Sequence, residues 1–321
     1  MEDKTDGYKV IMDYMHAAGF FREKFREIIK LTAYELSNSH LHLLPVCTDL
    51  DFDWNTSHLA RSSLEGAVSI IDVETGEIVR SHHCQKYGIH SLKFLYSSPD
   101  VSACSGNDNS WRLWDFSANK FICVFRGSES LVTRLECHKS ENIVASQDSL
   151  AVSLWDTRCT TSTQSAAGCS SPSFDHRSGR VLAVTCQKEE SVRLYDIRAF
   201  HKPFSSFNTQ QDLKSSKLSF DGNLIACTTS DRVFLIDAFS GSVCWYSPCL
   251  SGHPRLPCFN WNATLVACAV GCDAVILDAS SGKILQTLKG HGDEVMALFS
   301  PKLDLIVTSA TALGFWTPRI D

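Results

Sequence analysis

Neither a membrane-spanning segment nor a secretory leader is evident in this chain of 321 residues. The longest charge-free stretch near the C-terminus, Leu305 to Pro318, contains Thr, Ser and Gly and is shorter than the ~20 apolar residues that cross a bilayer. The N-terminal MEDKTDGYKV is acidic and polar, whereas a secretory leader is basic and then apolar. We therefore expect no membrane association and no export.

Catalytic motifs are also missing. The chain contains no GxGxxG, P-loop, GxSxG or HExxH pattern. The run Asp49, Asp51 and Asp53 begins like a calcium-binding loop, but Trp54 and Ala60 stand where such a loop needs Gly and Glu. We interpret the alternating aspartates as the polar side of a strand. The sequence thus predicts no enzyme, no catalytic residues, no cofactor and no metal site.

An excess of positive charge is absent too. Lysine and arginine number 30 against 36 aspartates and glutamates, which gives a formal net charge of −6. A chain of this sign has no overall attraction for nucleic acid or for an anionic membrane surface. With 44% hydrophobic and 21% charged residues, the composition is that of a folded globular protein, and we expect its partners to be other proteins.

What the sequence does contain is a repeat with a period of ~40 residues. Six short apolar segments end in aspartate, and a seventh, LGFWT, ends at Thr317. A repeat of this length is typical of architectures in which each unit covers the apolar face of the next. The six segments are VSIID (ending at Asp72), WRLWD (Asp115), VSLWD (Asp156), VRLYD (Asp196), VFLID (Asp237) and AVILD (Asp278).

Each repeat has the pattern of four short strands separated by turn residues. In residues 213–246, the segments LKSSKLSF, LIACTTS, VFLID and SVCWYS alternate with the turns DGN, DR and AFSG. One such sheet cannot bury both of its faces alone, so neighbouring sheets must cover each other. We therefore predict an all-β, seven-bladed β-propeller.

The seventh unit lacks a fourth strand, because it is followed only by the terminal PRID. We expect an N-terminal strand to complete this unit and close the ring, with residues 18–31 as the candidate region. The doubled motif FRE leaves its register open. The chain is thereby divided into an N-terminal segment, 1–17, and a single propeller, 18–321, with an insertion at about 24–45. That insertion is either a surface loop or short helix, or a contact with a partner.

The 14 cysteines include no CxxC pair. Cys186, Cys227 and Cys268 each precede a repeat-end aspartate by ten residues, so we assign them to one position of the repeat, inside apolar strands. Thiols placed in this way behave as small buried hydrophobes. We expect reduced cysteines and an intracellular protein. The Ser/Thr-rich residues 158–172 are expected to be a flexible connection between blades.

Two dipeptides are typical of the WD-repeat form of propeller blade. Trp-Asp occurs at Trp114–Asp115 and Trp155–Asp156, and Gly-His at Gly290–His291. In that family, a histidine, a turn aspartate and nearby hydroxyls form a buried network within a blade. The resemblance implies that Asp108 is such a turn residue and accepts hydrogen bonds from backbone N–H groups.

Longer segments narrow the resemblance to one branch of the WD-repeat proteins. From about residue 47 onward, the chain resembles the small nuclear subunit that the COMPASS histone-lysine methyltransferase shares with transcription-termination and RNA 3′-end machinery. The first blade and the residues before it depart from that pattern. The segments that carry the resemblance are KYG (Lys86–Gly88), LWDTR (Leu154–Arg158), YDIRAFHKPFSSF (Tyr195–Phe207), IDAFSG (Ile236–Gly241) and the terminal FSPKLDLIVTSATALGFWTPRID (Phe299–Asp321).

The resemblance implies a non-catalytic adaptor in the nucleus that binds short peptide segments within a hetero-complex. Its implied partners are a methyltransferase subunit or a scaffold that targets a phosphatase to RNA polymerase II, and some members are linked to the polymerase C-terminal repeats. Two alternatives stay open. One is a WD-repeat scaffold of an unrelated signalling or ubiquitin-ligase complex. The other is a propeller enzyme with a metal in its channel.

Partner-binding residues are expected on one face of the ring, where the loops between blades meet the turns between second and third strands. Trp54 and Trp261 are assigned to the opposite face, either as a second contact patch or as packing beneath a turn. The candidates for partner binding are Lys86, Tyr87, Asn107, Ser130, Gln147, Lys188, Asp293 and Glu294.

Overall fold

Residues 34–40, 45–85, 88–96 and 98–318 are described by the structure, a computed structural model. These residues form 28 β-strands and two short 3₁₀ helices, Gln187–Glu189 and Ile197–Ala199. Within this part of the chain, no helix is long and apolar enough to cross a membrane. The all-β class predicted from the sequence is confirmed.

The strands form seven four-stranded antiparallel sheets, numbered here as blades 1 to 7 in chain order. Blade 1 contains β2 (Cys47–Phe52), β3 (His58–Ser63), β4 (Ala67–Asp72) and β5 (Ile78–His83). Blade 2 contains β6 (Leu92–Leu95), β7 (Ser98–Ser105), β8 (Ser110–Asp115) and β9 (Lys120–Arg126). Blade 3 contains β10 (Arg134–Cys137), β11 (Ile143–Gln147), β12 (Ala151–Asp156) and β13 (Ser162–Ala167).

The remaining four blades have the same order of strands. Blade 4 contains β14 (Ser170–Phe174), β15 (Val181–Cys186), β16 (Ser191–Asp196) and β17 (Ser205–Asn208). Blade 5 contains β18 (Ser215–Leu218), β19 (Leu224–Thr228), β20 (Val233–Asp237) and β21 (Val243–Tyr246). Blade 6 contains β22 (Pro254–Phe259), β23 (Leu265–Val270), β24 (Asp273–Asp278) and β25 (Ile284–Leu288). Blade 7 contains β26 (Met296–Phe299), β27 (Ile306–Ser309), β28 (Leu313–Pro318) and β1 (Tyr34–His40).

The first strand of each blade lies at the centre of the molecule. These seven strands contact one another in sequence around a circle, and β2 of blade 1 contacts both β6 of blade 2 and β26 of blade 7. The fourth strand of each blade lies at the rim, where most side chains of β5 and β13 are exposed. The sheets therefore form the predicted seven-bladed ring around a central channel.

Apolar clusters fill the junctions between neighbouring blades. At the junction of blades 3 and 4, Leu154 packs with Phe174 and Leu182. At the junction of blades 7 and 1, Phe315 packs with Leu59. Burying one side chain of this size contributes about 1.5–3 kcal/mol. A single blade could not bury both of its faces, so the ring is stabilised by the stacking of its sheets.

The six repeat-end aspartates all have the same local role. Each ends the third strand of its blade and accepts a hydrogen bond from a backbone N–H in the turn that follows. In blade 5, for example, Asp237 accepts from the N–H of Ser240 at 2.7 Å. An aspartate side chain that accepts a hydrogen bond from a backbone N–H a few residues later in the chain stabilises such a turn. The period seen in the sequence therefore reports one capped turn in each of blades 1 to 6.

An N-terminal strand closes the ring, as predicted, but its predicted position was wrong. The fourth strand of blade 7 is β1, with Tyr34 opposite Pro318 and His40 opposite Leu313. Tyr34 is buried against Phe299, and its backbone exchanges two hydrogen bonds with the side chain of Gln286. The strand lies within the predicted insertion at 24–45. Residues 18–31, and the proposed boundary at residue 18, lie outside the described residues.

Two further expectations from the sequence were wrong. The Ser/Thr-rich residues 158–172 contain β13 and the start of β14 and are not a flexible connection. They lack an apolar pattern because β13 is a rim strand, in which only Ala166 is buried. Cys186 also does not share a position with Cys227 and Cys268. In the hairpin of the second and third strands, Cys227 and Cys268 each belong to the fourth residue pair, opposite Phe234 and Val275. Cys186 belongs to the sixth and last pair of its hairpin.

Candidate partner-binding face and central channel

We call the upper face the side of the ring that carries the loops between blades and the turns between second and third strands. Hydrogen bonds join these two kinds of segment, as between Ser130 Oγ and Ser149 Oγ at 2.6 Å. The described loops are 45–46, 84–85, 88–91, 127–133, 168–169, 209–214, 247–253 and 289–295, and the turns are 64–66, 106–109, 148–150, 187–190, 229–232, 271–272 and 310–312.

All six described candidates lie on the upper face or border it. They fall into two groups. Asn107, Ser130, Gln147 and Lys188 follow one another across blades 2 to 4, whereas Asp293 and Glu294 lie in the loop between blades 6 and 7. Lys86 and Tyr87 lie outside the described residues. The structure thus does not gather the candidates into one cluster.

Most of these candidates already hold neighbouring segments together. Asn107 bonds to His90, and Gln147 accepts the backbone N–H of Ser171 at 2.7 Å. At the other group, Thr311 donates to Asp293 at 3.2 Å, and Glu294 makes a two-pronged ion pair with Arg255. The positions of these residues agree with the sequence-based placement, and their role in partner binding stays a prediction.

The sequence reasoning missed three exposed apolar side chains on the upper face. Val46, Leu64 and Leu150 are 47%, 54% and 51% exposed. Leu64 and Leu150 lie in the turns of blades 1 and 3, where polar residues are the rule. An apolar residue inside an otherwise polar turn is the signal that could have identified them. Exposed apolar groups with polar surroundings are typical anchors for a protein partner.

The lower face, at the opposite ends of the strands, contains Trp54 and Trp261, as expected. Trp54 packs edge-on against Tyr96 with ring centroids 5.4 Å apart, and the ammonium of Lys302 lies 5.1 Å from the Trp54 ring. Trp261 donates its indole N–H to Asp304 at 2.9 Å. Both rings are therefore fixed to neighbouring side chains, which favours packing beneath the turns over an independent contact patch.

The central channel encloses a cavity of about 170 Å³ lined by paired charges. Lys93 of blade 2 contacts Asp49 at 3.2 Å and Asp51 at 3.6 Å, both from blade 1. Across the channel, Lys217 of blade 5 contacts Glu136 of blade 3 at 2.5 Å. These pairs join first strands that belong to different blades, so they also stabilise the closed ring.

Burial shifts the titration of several channel groups. It raises the pKa of Asp51 to about 7, although the ammonium of Lys93 opposes the shift. It lowers the pKa of His176 to about 4, with the positive charge of Lys217 acting in the same direction. Burial alone would raise the pKa of Glu136, but Lys217 and Lys93 hold it below its ordinary value. At neutral pH the channel therefore contains ionised Glu136 and a neutral His176.

The carboxylates in the channel are engaged with protein groups. Asp49 accepts from Ser91 Oγ at 2.7 Å and from the backbone N–H of Leu92 at 3.0 Å, and Asp51 accepts from the N–H of Phe94 at 2.8 Å. Within the described residues, no group of three or more His, Cys, Asp or Glu side chains is placed to hold a metal ion. The arrangement links blades 1 and 2 through charge-assisted bonds.

Part of the hydrogen-bond network expected for a WD-repeat blade is present in blade 7, whose turn 310–312 contains no aspartate. Trp316 Nε1 donates to Thr308 Oγ1 at 2.8 Å, and His291 Nε2 lies 2.8 Å from the same hydroxyl. In blade 3, Trp155 Nε1 donates to Ser146 Oγ at 2.8 Å. In blade 2, the side-chain donors to Asp108 are Arg112 and Ser110, and these bonds lower its pKa to about 2.

Comparison with known proteins agrees with this architecture. The family described as "WD domain, G-beta repeat" matches residues 282–312, which begin in the turn before β25 and end in the turn before β28. One relative is the Set1 complex component swd2 of Schizosaccharomyces pombe, 27% identical over 208 residues, or 61% of this chain and 57% of the relative. Another is the apoptotic protease-activating factor 1 of Danio rerio, 22% identical over 299 residues, or 84% of this chain and 22% of the relative. The chain thus spans less than two thirds of each of these relatives.

Proposed function

Starting from a seven-bladed WD40-repeat propeller that is similar to a Set1 complex component, we propose that this protein is a non-catalytic adaptor subunit of a chromatin-acting histone-lysine methyltransferase complex of the COMPASS type. The observation that carries the proposal is the 27% identity to swd2 over 208 residues. A subunit of such a complex works on chromatin, so we also propose a nuclear location.

The upper face supplies the binding surface in this proposal. Its turns present Leu64 and Leu150 beside the polar candidates Asn107 and Gln147, which gives apolar anchors with a polar surround. A short peptide segment of a partner subunit would cover these anchors. The charged groups of the channel are paired with one another, and in this proposal they stabilise the ring and take no part in a reaction.

A second proposal concerns the use of the same subunit in another assembly. The segment YDIRAFHKPFSSF, at Tyr195–Phe207, resembles subunits that also serve a phosphatase-targeting scaffold in transcription termination. We propose that such a scaffold is an alternative partner of this protein. The similarity to apoptotic protease-activating factor 1 gives less support to a signalling scaffold, because it covers only 22% of that protein at 22% identity.

Affinity purification of the tagged full chain from nuclear and cytoplasmic extracts, followed by mass spectrometry, tests both proposals. We expect a histone-lysine methyltransferase, a phosphatase scaffold, or both, in the nuclear sample. Substituting Leu64→Glu and Leu150→Glu should reduce their recovery roughly tenfold, the equivalent of about 1.4 kcal/mol in binding.

The matched control is Phe239→Glu. Phe239 is 78% exposed and lies in a turn of the lower face, so its substitution should leave recovery unchanged. Recovery of cytoplasmic partners alone would contradict the adaptor proposal. Equal losses in the upper-face and lower-face variants would contradict the assignment of the binding surface.

A further inference from the structure

Two buried thiols meet where the chain enters blade 4. Cys169 ends the short loop 168–169 between blades 3 and 4, and Cys186 is the last residue of β15. Their sulfur atoms are 2.9 Å apart, which is shorter than an ordinary contact between two unbonded sulfur atoms. Both side chains are only 3% exposed.

The backbone sets this approach. Ser170 of β14 is opposite Thr185 of β15, so Cys169 and Cys186 are the next two residues along an antiparallel pair. Residues directly opposite in such a pair have Cα atoms about 4.5–5.5 Å apart. That separation lies within the range of about 4.4–6.8 Å that a disulfide bridges. The two thiols can therefore be joined with little movement of the main chain.

Other cysteines of the repeat have no such arrangement. Cys104, Cys227 and Cys268 share a position in their second strands and are opposite Arg112, Phe234 and Val275. In blade 4 the hairpin of β15 and β16 has six pairs, which places Cys186 at its upper end. The thiol pair is thus a local feature of blade 4 and not a consequence of the repeat.

The surroundings of the pair favour reaction. The hydrogen bond between the two thiols lowers the pKa of the Cys169 thiol, and the nearby Arg193 guanidinium acts in the same direction, whereas burial opposes the shift. The residues on either side of the thiols in the sequence, Gly168 and Gln187, are exposed. A small oxidant therefore needs only a local opening of the upper face to reach the sulfur atoms.

We propose that Cys169 and Cys186 form a reversible disulfide when the protein meets a hydroperoxide. The Cys169 thiol loses its proton, the thiolate attacks one oxygen of hydrogen peroxide, and the O–O bond breaks; the leaving hydroxide takes up that proton, so a sulfenic acid and one water result. Cys186 Sγ then attacks the sulfenic sulfur, the S–O bond breaks, and a second water leaves with the thiol proton. Overall, two thiols and one hydrogen peroxide give one disulfide and two waters, and an added dithiol reverses the step.

The bond would tie the loop 168–169 to the turn 187–190. Gln147 contacts Ser171 just beyond this loop, and Lys188 belongs to the turn, so two candidate partner-binding residues flank the thiol pair. Oxidation would thus fix the geometry of this part of the upper face. The proposal does not depend on which partner binds there.

Mass spectrometry of the full chain treated with an equimolar amount of hydrogen peroxide tests the proposal. Trypsin separates the two thiols into peptides Cys159–Arg177 and Val181–Lys188. We expect these peptides to be linked through Cys169 and Cys186, with the count of free thiols falling by two from 14. Treatment with dithiothreitol should restore both peptides.

Three variants separate this linkage from general oxidation. Cys186→Ser should abolish the linked peptide, whereas Cys159→Ser and Cys227→Ser should leave it in place. The measurement on the unsubstituted protein stands even if a variant fails to fold. A linkage through Cys159, or oxidation confined to the exposed Cys159, Cys244, Cys249 and Cys272, would overturn the proposal.

Discussion

Two junctions of the ring are built differently although the same kind of blade meets at each. Between blades 3 and 4, each formed by one continuous stretch of chain, the contact is mainly an apolar cluster with a few hydrogen bonds. At the junction of blades 7 and 1, blade 7 is itself assembled from two parts of the chain, β26–β28 and the N-terminal β1. There a buried arginine, Arg61 of β3, donates to Ser309 Oγ at 2.9 Å and to the carbonyl of Ala310 at 2.6 Å, and also bonds to the carbonyl of Pro45.

The difference shows how the ring is held beside its closing blade, in which β28 and β1 pair without a direct chain connection between them. Apolar packing is non-directional, so it cannot by itself hold two sheets in a unique alignment. The guanidinium of Arg61 has donors in a rigid fork and joins three segments, namely β3, the end of β27 and the chain before β2. At the junction of blades 3 and 4, the loop 168–169 connects two sheets that are each formed by one continuous stretch of chain.

The largest effect expected from this comparison is that of Arg61→Met. The substitution keeps an apolar stem but removes three hydrogen bonds of the guanidinium, to Ser309 Oγ and to the Pro45 and Ala310 carbonyls; Ala310 keeps the backbone N–H of Cys47 as a donor. A hydrogen bond from a charged group contributes about 1.5–3 kcal/mol, so we expect a loss of about 3 kcal/mol or more in the free energy of unfolding. Urea denaturation followed by fluorescence measures it.

Arg193→Met is the matched control at blade 4. Arg193 pairs with Glu189 at the surface, and such an ion pair contributes about 0–1 kcal/mol. Equal losses in the two variants would show that Arg61 has no special part in closing the ring.

The second effect concerns pH and the two sides of the channel. Asp51 lies on blade 1, and burial raises its pKa from 3.8 to about 7. Between these values the folded protein holds a proton that the unfolded chain has lost, so the contribution of Asp51 to stability falls as pH rises. His176 lies beside blade 4, and burial lowers its pKa from 6.5 to about 4. Its contribution falls as pH drops through that window.

Because the two contributions have opposite signs, they offset each other in the unmodified protein between about pH 4 and 6.5. In Asp51→Asn, stability should rise more steeply with pH than in the unmodified protein. In His176→Gln it should rise less steeply or fall. Urea midpoints measured at several pH values in this window check the prediction, and parallel curves for all three proteins would contradict it.

A smaller effect is expected for Gln147→Ala at the junction of blades 3 and 4. The substitution removes the acceptor of one backbone N–H, that of Ser171. A single neutral hydrogen bond contributes about 1 kcal/mol, so the loss should be a third or less of that for Arg61→Met. Denaturation under the same conditions compares them. A larger loss than at Arg61 would reverse the contrast between the junctions.

The smallest effect on stability is expected for Glu294→Ala, at the junction of blades 6 and 7. Its ion pair with Arg255 joins two side chains that are 65% and 53% exposed, and solvent screens such a pair. We expect a change below about 1 kcal/mol in unfolding free energy, which makes this variant suitable for testing partner binding alone. A loss comparable to that of Arg61→Met would show that the pair has a structural role.

Much of the fold could be predicted from the sequence, because one repeated event marks six of the seven blades. The aspartates from Asp72 to Asp278 recur since the third strands of blades 1 to 6 all end in the same capped turn. The closing strand was harder to locate. Its residues, YELSNSH, have little apolar pattern, and their place is fixed by contacts of Tyr34 with Phe299 and Gln286, far away in the sequence.

The candidate site could be predicted only in part. Loop positions follow from strand positions, so Asn107 and Lys188 were correctly assigned to the upper face. The exposure of a side chain does not follow from strand positions. Leu64 and Leu150 were overlooked because apolar residues are normally assigned to the core. The thiol pair was hidden as well. Cys186 and Cys227 each precede an aspartate by ten residues, yet the register of their hairpins places them at different positions along the second strand.

The pairing of β1 with β28 also sets the order in which this protein can fold during synthesis. Tyr34 leaves the ribosome long before Pro318, its opposite residue in the sheet, has been made. Local contacts within blades 1 to 6 can form as each hairpin appears, but the last blade must wait for both ends of the ring. Until then, the apolar side of blade 1 that faces Phe315 has no cover, so the nascent chain exposes this surface to water until the last blade is complete.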